Sequence, residues 1–103
     1  MVEMTDAMNG TLDRGRAAEY PLRRREVVAA MLADRGDMLV VAGLGAPVWD
    51  CTAVADHPLN FPLWGAMGGA AAMGLGLAMA QPERRVLVIT GDGEMLMGLG
   101  AMT

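Results

Sequence analysis

The residues with the clearest chemical potential are Gly91-Asp92-Gly93, an acid between two glycines that directly follows the β-branched run Val86-Leu87-Val88-Ile89-Thr90. A carboxylate is a hard oxygen ligand, and flanking glycines leave backbone amides open, so the tripeptide suits a magnesium–diphosphate pair at the start of a helix. The same three residues also form an ordinary Asp-Gly turn, and on their own they leave both readings open. A dinucleotide fingerprint fits less well. Neither Gly43-Leu44-Gly45-Ala46-Pro47-Val48 nor Gly91-Asp92-Gly93-Glu94-Met95-Leu96 supplies its third glycine, and an acid inside the phosphate turn would repel an unescorted pyrophosphate. The other reactive residue types read as structural. His57 precedes Pro58 within an expected turn at 56–60. Arg23-Arg24-Arg25 point three ways around a helix, which describes a solvated face. Glu94, at the beginning of a helix, reads as a partner of the helix dipole. Trp49 and Trp64 read as packing residues, with Trp64 adjoining a glycine-rich stretch that could line a pocket.

These residues need elements to position them. Val27, Val28, Met31 and Leu32 share one helical face, with Pro21 near the first turn and Gly36 as a stop, so a helix is expected over about 22–35. Met38-Leu39-Val40-Val41-Ala42 is an unbroken apolar run ending at Gly43-Leu44-Gly45, the pattern of a strand buried on both faces of a parallel sheet. A short helix is expected from Pro47 to Val54. Leu63 to Ala80 is an 18-residue stretch without charge, formally long enough to span a membrane. Five of its residues are Gly and six are Ala, and no basic anchor precedes it, so a buried, closely packed helix is the preferred reading. After the polar turn Gln81 to Arg85, Val86 to Thr90 reads as a second central parallel strand, and Met95, Leu96, Leu99 and Met102 recur at helical spacing from about Glu94 onward. The alternation predicts an α/β domain, a parallel sheet layered with helices on both faces, whose ligand sits beyond the carboxyl ends of the strands where both glycine turns fall.

Composition narrows the class. A chain of 103 residues fits one domain, and 53% apolar against 19% charged residues excludes a disordered tail. A formal net charge of −4 argues against nucleic acid as a partner. The single cysteine, Cys51, precludes an intrachain disulfide, and the opening Met-Val-Glu-Met-Thr-Asp has no signal-peptide pattern, so a reducing cytoplasm is expected. Residues 1–20 have no period and read as a loosely ordered leader. Four aromatics against 11 Met and 14 Gly describe a core of small and flexible side chains, one that calls for a partner.

Taken together, Asn60-Phe61-Pro62-Leu63-Trp64-Gly65-Ala66-Met67-Gly68, the small-residue helix through Ala80, Pro82, the strand Val86 to Thr90 and Gly91-Asp92-Gly93 resemble the diphosphate-binding domain of thiamine-diphosphate enzymes. The first helix, Gly43-Leu44-Gly45 and Gly93-Glu94-Met95-Leu96-Met97-Gly98-Leu99-Gly100 most resemble the β-type half of sulfopyruvate and phosphonopyruvate decarboxylases, over about residues 22–103. The resemblance implies thiamine diphosphate and Mg²⁺ as cofactors. Asp92 would ligate the metal, and Gly91, Gly93 and Glu94 would receive the diphosphate, the last two through their backbone. Gly65, Ala66 and Met67 would meet the cofactor's rings. There the Gly65 carbonyl would accept a hydrogen bond from the 4′-amino group, and Met67 would be the apolar wedge that keeps that group against C2. Gly65 and Met67 are thus the implied catalytic residues. The family's second side-chain metal ligand, an Asn, would fall past Thr103, and its glutamate for the aminopyrimidine belongs to another domain or an α subunit. The resemblance therefore implies the N-terminal part of the domain at 21–103, incomplete at its C-terminus. This part would work as a homo- or hetero-oligomer with a pyrimidine-binding domain or α subunit, without membrane or nucleic acid. An acetolactate-synthase-like carboligase and a noncatalytic assembly module keep the same fold and remain the alternatives.

Overall fold

The computed structural model describes residues 19–103, so the expected leader at 1–20, apart from its last two residues, lies outside the described residues. Helix α1 spans Arg24–Leu32, strand β1 Leu39–Ala42, helix α2 Ala46–Val54, strand β2 Asn60–Pro62, helix α3 Ala70–Ala80, strand β3 Val86–Ile89 and helix α4 Asp92–Met97, with a 3₁₀ turn at Leu99–Met102. The three strands form one all-parallel sheet in the order β2-β1-β3, with Val41 opposite Phe61 on one side and opposite Val88 on the other. The chain steps from β1 to β2 through α2, then back past β1 to β3 through α3. Two crossovers of one hand that run in opposite lateral directions must lie on opposite faces of the sheet.

Side-chain alternation along β1 distributes the core accordingly. Val40 and Ala42 pack with Val28 and Leu32 of α1 and with Val48 and Cys51 of α2, joined by Leu87 and Ile89. Val41, fully buried between them in sequence, faces the other way onto Leu63, Ala70, Met73, Leu77 and Val88. Helices therefore cover both faces of the described sheet, as its apolar runs predict. Helix α2 starts where Gly45, at φ 92°, hands over to Ala46-Pro47, with proline near the first helical position. Burial, and next the Asp50 carboxylate, push the Cys51 thiol up, with Arg35 opposing; the thiol stays a neutral core group.

Several elements depart from their expected bounds. Helix α1 is shorter than 22–35, and Met31 of its expected apolar face is exposed. The turn at 56–60 ends at Asn60, where β2 begins. Helix α4 starts at Asp92, two residues before Glu94. The uncharged run from Leu63 is not one buried helix. Residues 63–69 form a loop, α3 begins only at Ala70, and Leu75 and Met79 on its outer side are exposed. Glycines at 65, 68 and 69 make the first part a poor helix, because each costs about 1 kcal/mol relative to alanine. Among the described residues β3 is an edge strand, partly buried along its length, and β1 holds the central place expected of both. Arg24 and Arg25 are not merely solvated. Both pair with Asp50 of α2, a carboxylate 1% exposed, with Arg24 Nε 2.5 Å from Oδ2 and Arg25 Nε donating to Oδ1 at 3.2 Å. No helix among the described residues is long and apolar enough to cross a membrane.

Candidate functional site

Because the strands are parallel, the segments that leave them gather at one edge of the sheet. The Gly43 N–H donates to the Ile89 carbonyl at 2.7 Å and the Leu63 N–H to the Ala42 carbonyl at 2.9 Å, tying the three exits together just past the last ladder residues. The two glycine turns expected to be neighbours are neighbours: a side chain at Gly43 would overlap the Glu94 carboxylate and crowd the Thr90 hydroxyl.

The turn after β3 presents Asp92 to solvent, its Oδ1 accepting the Gly93 N–H at 2.8 Å. Nothing lies within 4 Å of where a Cβ would sit on Gly91 or Gly93, so the backbone here is open to a ligand. The loop after β2 turns at Ala66, a non-glycine residue at φ 53°, and again at Gly68, at φ 94°. A positive φ in an L residue is strained by roughly 1–2 kcal/mol. The Gly69 N–H donates to the Ala66 carbonyl at 2.8 Å and closes the turn. Gly65 has open space about it, and Met67 projects outward at 56% exposure. Trp64 stands beside Trp49 of α2, with ring centroids 5.2 Å apart and planes at 70°, both residues more than half exposed. The expected packing residues thus pack on each other, as an exposed edge-to-face pair.

Glu94 is the residue whose side chain the sequence reading missed. It lies in the first turn of α4, but it does not sit in solvent beside the dipole. Its carboxylate is buried, accepts the Thr90 hydroxyl at 2.8 Å on Oε2, and meets the Gly68 N–H at 3.4 Å on Oε1. Only the four-residue spacing to Thr90 was visible locally. His57 is structural as expected: its Nδ1 accepts the Leu59 N–H at 3.0 Å. A cavity of about 180 Å³ lined by Leu39, Leu59, Phe61 and Leu77 opens elsewhere, beside β2.

Residues 43–103 match the family described as thiamine pyrophosphate enzyme, C-terminal TPP binding domain. The chain belongs to that family. It is 42% identical over 81 residues to sulfopyruvate decarboxylase subunit beta of Methanothermobacter thermautotrophicus, covering 79% of this chain and 43% of the relative. The corresponding subunit of Methanocaldococcus jannaschii is 36% identical over 85 residues, 82% of this chain and 44% of the relative. Phosphonopyruvate decarboxylase of Streptomyces viridochromogenes is 36% identical over 88 residues, 85% of this chain and 22% of the relative. The chain thus spans less than half the length of these relatives.

The strand-end edge fits the cofactor of this family of thiamine pyrophosphate enzymes. Unobstructed glycine backbone surrounds a solvent-facing carboxylate on one side, and an outward apolar side chain stands on a strained loop on the other. No group of three or more His, Cys, Asp or Glu residues converges among the described residues, so Asp92 would contribute one hard ligand and phosphate oxygens others.

Proposed function

We propose that this chain is the thiamine-diphosphate- and Mg²⁺-binding part of a 2-oxo acid decarboxylase of the sulfopyruvate or phosphonopyruvate type, acting with a pyrimidine-binding domain or subunit. The observation that carries this reading is the meeting, at one sheet edge, of the open Gly91-Asp92-Gly93 turn and the Ala66-strained loop bearing Met67, in a chain of the TPP-binding family. Support for the substrate class and for the partner comes from the relatives, named sulfopyruvate decarboxylase subunit beta and phosphonopyruvate decarboxylase.

In this reading Asp92 holds the metal, and the first amides of α4, which have no backbone partners within the helix, receive phosphate oxygens beside it. The Gly65 carbonyl and the Met67 side chain orient the ring end, where an unbranched, polarizable thioether adapts well to a heteroaromatic surface. When bound, thiamine diphosphate supplies the electron-accepting centre that loss of CO₂ from a 2-oxo acid requires. The chain's own contribution is orientation, which makes the proton transfer that starts the reaction intramolecular.

Calorimetric titration of the full chain with its partner tests the proposal. Thiamine diphosphate is expected to bind only with Mg²⁺ present, and Asp92→Ala to remove the Mg²⁺-dependent part of the affinity. Affinity indifferent to Mg²⁺ and to Asp92→Ala sinks the assignment. Binding without CO₂ release from sulfopyruvate or phosphonopyruvate points instead to a carboligase or a noncatalytic module.

A further inference from the structure

We infer that the Glu94 side chain is a positioning residue that registers the 65–68 loop against the Gly91-Asp92-Gly93 turn, holding the two halves of the cofactor site at one separation. The inference rests on the proposed function and assigns the site's internal alignment to a group that contacts neither ring nor metal.

Among the described residues two charged side chains are buried, Asp50 and Glu94. Asp50 has two arginines. None of the ion pairs among the described residues includes Glu94. A carboxylate withdrawn from water without a cation depends on its hydrogen bonds, and losing them is expensive. The donors it finds belong to separate strand exits: the Thr90 hydroxyl, one residue before the Gly-Asp-Gly turn, and the Gly68 N–H, one residue after Met67. The third exit contributes space, because Gly43 carries no side chain where Oε2 and the Thr90 hydroxyl lie. Gly68 is further enclosed by Gly98, where a side chain would overlap the Gly68 carbonyl. Glu94 therefore grips the loop at the residue beside Met67 while its own backbone belongs to the turn. With Ala66 held at a positive φ, the loop is prone to relax when that grip is lost.

The test separates turn from register by using two ligands on the full chain with its partner. Inorganic pyrophosphate with Mg²⁺ engages the turn alone, whereas thiamine diphosphate with Mg²⁺ needs turn and loop together. Glu94→Ala is expected to weaken thiamine diphosphate by about tenfold more than pyrophosphate, the scale of one lost hydrogen bond to a charged group. Glu94→Gln should restore most of the difference, since its carbonyl still accepts from Gly68 and its amide still reaches the Thr90 oxygen. Faster hydrogen exchange at the Gly68 amide in Glu94→Ala, with protection regained in Glu94→Gln, is the accompanying sign. Should Glu94→Ala fail to fold, Thr90→Val is expected to show the same split with a smaller amplitude. Equal weakening of both ligands, or none, in the folded variants overturns the inference while leaving the proposed function standing. Failure of the unsubstituted protein to bind either ligand overturns both.

Discussion

Met67 separates a core residue from a ligand-facing one by its exposure. A buried methionine cut back to alanine costs about 2–5 kcal/mol, but more than half of this side chain already meets solvent. Met67→Ala in the complete enzyme is therefore expected to leave the apoprotein's unfolding midpoint nearly unchanged while slowing proton exchange at C2 of bound thiamine diphosphate. A large fall in the midpoint with normal exchange would return Met67 to the core. Local signals were legible in the sequence: an acid between glycines after a β-branched run places Asp92 at a strand exit, where the structure has it exposed. Glu94 and Asp50 were not legible. Their partners lie 26 residues away at Gly68 and about 25 away at Arg24 and Arg25, and only the folded chain brings them together.

At the scale of elements, α3 shows how a small-residue helix serves the sheet. Gly74 is buried against β3, where a methyl group would overlap Val88 Cγ2. Val88 is β-branched and cannot swing aside cheaply. Gly76, two residues on, has open space around it. Gly74→Ala should thus lose about 1–3 kcal/mol to overpacking, set against about 1 kcal/mol gained in helix propensity. Gly76→Ala should keep that gain alone, about 0.5–1 kcal/mol. Opposite shifts of the urea midpoint for the two variants are the expected result, and equal shifts would mean that the close approach of α3 to β3 does not govern packing. The apolar run of β1 and the period of α1 were readable because burial on two faces and on one face leave different patterns, whereas the equally apolar run of β3 did not tell an edge strand from a central one. The break between 63–69 and α3 was hidden, because the chain carries no charge on either side of it and glycine serves both a strained loop and a packed helix.

Across the whole molecule, several large apolar side chains stay open that a free domain would cover. Trp49, Trp64, Met67, Leu96, Met97 and Met102 are each more than half exposed, and β3 has no partner on its outer side among the described residues. Exposed apolar surface of this extent suits burial against a second domain, and under the proposed function that domain would also enclose the cofactor, since a ligand of this size is normally enclosed on most sides. Activity is accordingly expected only from an assembly, formed with a pyrimidine-binding partner such as the family's two-subunit decarboxylases would supply. The chain's two tryptophans make that association visible. They stand as an edge-to-face pair next to Gly65, so binding of the partner should shift their emission to shorter wavelength and protect them from quenching by iodide. Sedimentation should show turnover travelling with the complex alone. A catalytically competent monomer, with tryptophan emission unchanged by the partner, would place the site wholly within one chain and exclude this assembly.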